Sequence, residues 1–134
     1  MGEKYSDGRI TRSGRRITEH HREITLHGEN RKLTLDLFDD ERPIHVEGML
    51  EQRKGKPHVK GVTLALYIAA RKILENLARK KDASVHYTMR TKYPRVKWFF
   101  QHGPGKDVLP WDHEEETSRG ELIKYAKIRN KHSG

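Results

Sequence analysis

"VTLALYIAARKILENLARKK", residues 62–81, is the longest periodic segment of this sequence and decides the fold that it predicts. Apolar side chains recur along one side at helical spacing, which is typical of a helix that covers a sheet. Arg71, Glu75 and Arg79 mark the opposite, solvent-facing side. The predicted buried face consists of Val62, Leu66, Ala69, Ala70, Ile73 and Leu77.

The first half of this helix is apolar nearly all round. Leu64 and Ile68 lie on the side away from the predicted buried face. A helix that is apolar on both sides needs a second cover. We therefore expect either a C-terminal helix or another subunit, in a homo-oligomer or with a protein partner, to pack against Leu64 and Ile68.

Three segments before the helix alternate apolar and polar residues, which is the pattern of half-buried strands. They are "EITLH" at 23–27, "KLTLDLF" at 32–38 and "IHVEGMLE" at 44–51. The turn residues "GEN" join the first two into a hairpin, and Gly48 suggests a bulge in the third. The alternation directs Ile24, Leu35 and Val46 toward the core.

Two further strands are predicted after the helix, at 84–90 and 95–101. The second reads "RVKWFFQ", and its residues alternate between two faces. Phe99 then lies on the face away from the helix, between Lys97 and Gln101. The residues predicted to pack under the helix are Val96, Trp98 and Phe100.

The C-terminal segment "SRGELIKYAKIRNK", residues 118–131, predicts a short amphipathic helix, because Ser118 and Glu121 have capping-box spacing. The resulting element order is β-β-β-α-β-β-α. Short links between neighbouring strands favour antiparallel pairing. We therefore predict an α+β fold with an antiparallel sheet of about five strands, one long helix on one face and a short C-terminal helix.

The sequence divides into three parts of different character. Residues 1–22 are rich in arginine and poor in apolar residues, which predicts a basic, flexible arm. Residues 23–116 contain the predicted strands and the long helix, and they form the α+β domain. Residues 117–134 supply the C-terminal basic helix and tail.

The 134 residues carry a formal net charge of +9, a surplus that attracts polyanions such as DNA and RNA. No apolar run approaches the roughly 20 residues of a membrane span, so we do not expect a membrane as a partner. The sequence contains no cysteine, and its N-terminus lacks the apolar core of a signal peptide. These features favour the cytoplasm as the location.

Phe99 is the residue of the predicted sheet that most suggests contact with nucleic acid. Its strand neighbour is Lys97, and Arg90 lies on the preceding strand. An aromatic ring flanked by cations on an open sheet stacks on unpaired bases while the cations hold phosphates. The alternative is that Phe99 packs under the loop 103–115 or in a dimer interface.

Two basic segments add to this surface. In the arm, arginine predominates over lysine, and its planar guanidinium suits phosphates and base edges. The loop "QRKGKPHVKG", residues 52–61, places lysines before the start of the helix, where unpaired N–H groups attract anions. The predicted nucleic-acid-binding residues are Arg9, Arg12, Arg15, Arg16, Arg22, Arg53, Lys54, Lys56, Lys60, Arg90, Lys92, Arg95, Lys97 and Phe99.

A group of carboxylates raises the question of metal-dependent chemistry. Asp36, Glu47 and Glu51 share one predicted strand face with His45, and converging carboxylates bind Mg²⁺ in nucleases. The lysine expected two positions after the acid is absent, since Arg53 follows Glu51 there. The histidines show no paired metal-ligand spacing. We therefore predict no catalytic residue, metal or cofactor, and favour a binding protein over an enzyme.

The run of three strands into a helix containing "AARKILENL", residues 69–77, resembles the second half of a double-stranded-RNA-binding domain. That resemblance implies phosphate contacts from cations at the start of the helix. Here the helix starts with "VTLAL", which has no cation, and two extra strands follow. Membership of that family is therefore not inferred.

Together these patterns predict a small basic nucleic-acid-binding protein that neutralises phosphates, with some base stacking and little sequence specificity. They do not distinguish DNA from RNA. One alternative is a protein-binding module or inhibitor within a nucleoprotein assembly, for example from a mobile element. The other is a Mg²⁺-dependent nuclease.

Overall fold

Residues 14–17 and 20–130 are described by the computed structural model. The strands are β1 His21–His27, β2 Arg31–Phe38, β3 Ile44–Gln52, β4 Val85–Thr91, β5 Trp111–Glu116 and β6 Leu122–Ile128. The α-helices are α1 Val62–Lys81 and α2 Pro94–Gln101, and a short 3-10 helix spans Pro104–Asp107. The predicted α+β class and the long helix are confirmed.

All these strands form one six-stranded sheet in the order β1-β2-β3-β4-β6-β5. Neighbouring strands are antiparallel except β3 and β4, which are parallel, with Ile44 opposite Val85 and Gly48 opposite Met89. The prediction of about five antiparallel strands is therefore corrected to a mixed sheet. The physical reason is that α1 carries the chain back along the sheet, so that β4 starts at the same end as β3.

The core lies between the two α-helices and one face of the sheet. Tyr67 of α1 and Phe100 of α2 meet there, with ring centroids 5.0 Å apart in a T-shaped arrangement. The apolar alternation of the strands supplies the other side, as the sequence predicts. Its fully buried side chains include Leu33, Leu35, Leu37, Ile44, Val46, Val85, Tyr87, Met89 and Leu122.

The buried side of α1 is rotated from the predicted one. Ala69 is exposed and Ile73 is only half-buried, whereas Tyr67 and Leu74 are buried in their place. The rotation turns the large side chains of Tyr67 and Leu74 toward the sheet. The predicted residues that are buried are Leu66, Ala70 and Leu77.

The outer side of α1 exposes less apolar surface than the sequence suggests. Leu64 is half-buried and packs against the core, whereas Ile68 is 48% exposed. The C-terminal helix that was expected to cover them is a strand of the sheet. Neither α-helix of the described residues is both long enough and apolar enough to span a bilayer.

Residues 95–101, predicted as a strand, form most of α2 instead. Val96 and Phe100 are buried, but Trp98 is 58% exposed, so the buried residues follow a helical rather than an alternating period. Residues four apart share a face in both a helix and a strand, and Val96 and Phe100 are therefore compatible with either. Pro94 at the first turn, where its missing N–H costs nothing, favours the helix.

The predicted C-terminal helix at 118–131 is also corrected, since these residues contain β6, which forms a hairpin with β5 of the preceding segment. Lys124 hides the alternation of β6 because it occupies a core-facing position with only 3% of its surface exposed. Its Nζ donates to the Phe100 carbonyl at 2.7 Å and lies 4.8 Å from the centre of the Trp111 ring. Burial lowers the pKa of Lys124. The buried ammonium thus ties β6 to the end of α2.

Gly48 is required by the packing of Tyr87 and not by a bulge. β2 and β3 pair in regular register through this position, with Gly48 opposite Leu35. A Cβ at position 48 would overlap the Tyr87 side chain at its hydroxyl. That hydroxyl lies 2.8 Å from the Tyr67 hydroxyl, and both tyrosines are fully buried. The glycine therefore makes room for a hydrogen bond that joins α1 to β4.

Gly48→Ala should lower the free energy of unfolding by about 1–3 kcal/mol, the usual cost of overpacking a core. Urea denaturation followed by circular dichroism measures the change. In a Tyr87→Phe background the same substitution should cost less, because the overlapping hydroxyl is gone. An equal cost in both backgrounds would contradict the proposed role of Gly48.

The tyrosine pair also predicts sensitivity to alkali. Burial raises the pKa of Tyr67 and of Tyr87 above the ordinary value of 10.0. When folding raises a pKa, the contribution of that group to stability is fully present below the ordinary, unfolded-state pKa. It is lost as the pH rises from that value toward the folded-state pKa. The free energy of unfolding should fall more steeply above pH 10 in the wild type than in the Tyr67→Phe/Tyr87→Phe variant. Parallel curves would show that other groups cause the decline.

Candidate nucleic-acid interface

The C-terminal ends of β3 and β4 meet at one edge of the sheet because the two strands are parallel. The start of β2 lies at the same edge, since Arg31 pairs with Gln52. α1 and α2 begin shortly after these strand ends, at Val62 and Pro94. Ligand sites of sheets with parallel strands commonly lie outside such ends.

The loop 53–61 adds cations to this edge. The backbone N–H of Arg53 donates to the Asn30 carbonyl at 2.8 Å, and its guanidinium donates to the Gly28 carbonyl at 3.0 Å. These bonds hold the loop against the turn between β1 and β2. The other cations of the loop are exposed, and like Arg53 they form no ion pair with residues that the structure describes: Lys54, Lys56 and Lys60.

Arg31 and Arg95 bring two guanidinium groups to the same edge. The Arg31 side chain donates to Gln52 Oε1 at 3.2 Å and to Thr63 Oγ1 at 2.7 Å, so both acceptors are neutral. Burial and, after it, repulsion from Arg95 lower the pKa of Arg31. Across residues 14–17 and 20–130, no carboxylate forms an ion pair with either arginine.

Two open cavities at this edge share Gln52. The first, of about 420 Å³, is lined by Arg31, Tyr93 and Arg95 together with apolar side chains, and the second, of about 430 Å³, is lined by the loop cations. Glu51 lines the second cavity and lies 3.7 Å from Lys32. We call the cations of this edge the basic end: Arg31, Lys32, Arg53, Lys54, Lys56, Lys60, Lys92 and Arg95.

Several other predicted phosphate-binding cations are held by carboxylates elsewhere in the fold. Arg15 lies 2.5 Å from Glu41 and 3.6 Å from Glu47, and its guanidinium covers the Phe38 ring on the sheet face away from α1. Arg16 is exposed. Arg9 and Arg12 lie outside the described residues. The remaining pairs are Arg22 with Asp39, Arg90 with Glu121 and Lys97 with Glu116.

Phe99 does not lie on an open sheet face. It belongs to α2, its ring is half-buried, and it packs edge-on against Phe100 with centroids 4.9 Å apart. A Cβ on Gly105 would overlap the Phe99 ring, so the 3-10 helix Pro104–Asp107 that follows α2 covers this ring closely. The open-face placement is therefore wrong, and Phe99 packs under the first part of the segment 103–115, in line with the alternative.

Phe99→Ala should therefore act on stability. We expect the free energy of unfolding to fall by about 1–3 kcal/mol, less than for a fully buried phenylalanine because the ring is half-buried. Trp98→Ala, which removes the exposed aromatic residue of the same helix, is the control and should cost less. Denaturation curves of the two variants test this, and an equal or smaller loss for Phe99→Ala would contradict the packing role.

The carboxylates predicted to converge are divided among separate side-chain contacts. Asp36 and Glu47 are direct cross-strand neighbours. Asp36, however, lies 2.7 Å from His21, and Glu47 lies 3.1 Å from His45. Glu51 faces Lys32 at the basic end. In the described part of the chain, no group of three histidines or carboxylates is arranged to hold a metal ion.

Sequence reasoning misses Tyr93 and Arg31. The first has a local signal, since "KYPR" at 92–95 places a ring between two cations beside a proline, a composition typical of an exposed turn. Tyr93 is 68% exposed. Arg31 has no local signal, because its position beside Arg95 depends on strand pairing and on the start of α2.

The comparisons with known proteins identify no relative. The chain matches no protein-family model, no curated protein and no solved structure. Its function must therefore be inferred from the geometry of its own residues.

Proposed function

We propose that this protein binds nucleic acid through the basic end. The observation that supports this is the convergence of cations from three separate segments of the chain. They come from the start of β2, the loop 53–61 and the junction of β4 with α2. Among the described residues, only Lys32 of the basic end is paired with a carboxylate.

These cations are distinguished by their convergence from three segments, since described cations elsewhere, such as Lys80 and Lys81, also form no ion pair with described residues. Exposed like charges that are gathered with few acids repel one another and create a positive potential. A phosphate backbone relieves that repulsion and releases its own counterions, so the binding constant falls as salt rises. Contacts of this kind read the backbone rather than the bases, and little sequence specificity is expected. The proposal covers both DNA and RNA.

Neutralising lysines at the basic end should weaken binding more than neutralising lysines elsewhere. We expect Lys54→Gln/Lys56→Gln to reduce the slope of log K against log salt by about 1 for each lysine that contacts a phosphate. Fluorescence anisotropy with labelled oligonucleotides at several salt concentrations measures the slope.

The matched control is Lys80→Gln/Lys81→Gln, which removes the same charge from exposed positions at the C-terminal end of α1. It should change the slope less than Lys54→Gln/Lys56→Gln does. Equal effects of the two double variants would mean that net charge alone attracts the ligand. Absence of binding to DNA and RNA at low salt would overturn the proposal.

The alternative of a protein-binding module has narrower support. Leu64 packs on the chain's own core, which leaves Ile68 and, on α2, Trp98 as exposed apolar side chains of the helices. These two residues do not by themselves indicate a partner. The basic end, by contrast, indicates the charge of its ligand.

A further inference from the structure

Tyr93 is held in an exposed position at the junction of β4 and α2. Its backbone N–H donates to Thr91 Oγ1 at 3.2 Å, and Pro94 follows it at the first turn of α2. The hydrogen bond and the proline ring both restrict the backbone on either side of the tyrosine. The ring is nevertheless 68% exposed, more than any other large apolar or aromatic side chain in the described residues. An aromatic ring presented in this way is available to a flat ligand.

The cavity that Tyr93 lines contains two guanidinium groups and no carboxylate. Arg31 is fixed in it by Gln52 and Thr63, which are neutral acceptors and leave its charge uncompensated. Arg95 lines the same cavity, and its repulsion contributes to the lowered pKa of Arg31. A guanidinium fork matches the oxygens of a phosphate, and two such groups favour an anion between them.

The remaining lining is suited to a base. Leu50, Pro94 and Val96 contribute apolar surface beside the Tyr93 ring. The volume of about 420 Å³ falls within the range of about 300–1,000 Å³ that is usual for small-molecule sites. This lining complements one nucleotide better than a bare anion. A nucleotide would use the aromatic ring, the apolar side chains and the two arginines, whereas a bare anion would use only the arginines.

We propose that this cavity binds one unpaired nucleotide, with its base stacked on Tyr93 and its phosphate between Arg31 and Arg95. This inference deepens the proposed function and assigns the basic end a preference for single strands or unpaired overhangs. A base within a duplex is already stacked and paired, so that it reaches the ring only after leaving the helix. The lysines of the loop 53–61 then hold the neighbouring phosphates.

The test compares four ligands on five proteins. The ligands are inorganic phosphate, adenosine monophosphate, a short single-stranded oligothymidine and a blunt duplex of the same length. The proteins are the wild type, Tyr93→Ala, Tyr93→Trp, Arg95→Gln and the control Trp98→Ala. Trp98 is the matched control because, like Tyr93, it is a strongly exposed aromatic residue among those the structure describes, and it lies on the adjoining helix.

We expect Tyr93→Ala to weaken binding of the single strand by about 5- to 150-fold, the loss of one stacked base. Duplex binding should change little, and Trp98→Ala should bind both ligands like the wild type. Arg95→Gln should weaken the binding of both adenosine monophosphate and the single strand. Tyr93→Trp should restore single-strand binding, because a larger ring still stacks.

The outcomes separate this inference from the function on which it rests. If Lys54→Gln/Lys56→Gln weakens oligonucleotide binding while Tyr93→Ala and Arg95→Gln do not, the nucleotide cavity is wrong and nucleic-acid binding stands. If adenosine monophosphate binds in a Tyr93-dependent way but no oligonucleotide binds, the cavity stands and the proposed function fails. Equal affinity for phosphate and adenosine monophosphate, or an equal loss from Trp98→Ala, would overturn the role of Tyr93.

Discussion

The parallel pairing of β3 with β4 is the constraint on which the rest of the structure depends. Antiparallel neighbours would place the ends of these strands at opposite edges of the sheet. Parallel pairing instead brings the loop after β3 and the junction after β4 to one edge, and α1 must span the sheet to allow it. The buried hydrogen bond between Tyr67 and Tyr87 secures α1 over these strands, and Gly48 makes room for it. The basic end is a consequence of this topology.

The described cations differ in whether a carboxylate pairs with them, and unpaired ones such as Lys80 and Lys81 also lie away from the basic end. Away from the basic end, cations such as Arg90 and Lys97 are matched by carboxylates and join elements of the fold. Ion pairs of this kind cancel local charge. At the basic end eight cations are gathered and only Lys32 is paired with a carboxylate, so their mutual repulsion costs stability. A concentration of charge that opposes folding is the expected mark of a binding surface, because the ligand supplies the missing charge.

The candidate site was only partly accessible from the sequence. The loop 53–61 was predicted as a phosphate-binding segment from its local composition, and the structure places it at the basic end. Phe99 was misplaced because residues four apart share a face in both strands and helices, so that Val96 and Phe100 did not distinguish the two. Lys124 concealed a strand, since a charged residue at a core-facing position breaks the apolar alternation. Its ammonium is tolerated there because it contacts the Phe100 carbonyl, the Trp111 ring and, at 3.5 Å, the Glu114 carboxylate.

The sequence by itself determined the first four strands, the presence of the long helix and the surplus of positive charge. Periodicity records which side of an element is apolar, and this is local information. Only the tertiary structure decided that β3 and β4 run parallel, that β5 and β6 close the sheet, and that Arg31 meets Arg95 beside Tyr93. These strand pairings and side-chain contacts join residues that are distant along the chain. They depend on which apolar surfaces of different elements pack best against one another, and the sequence of one segment does not determine that.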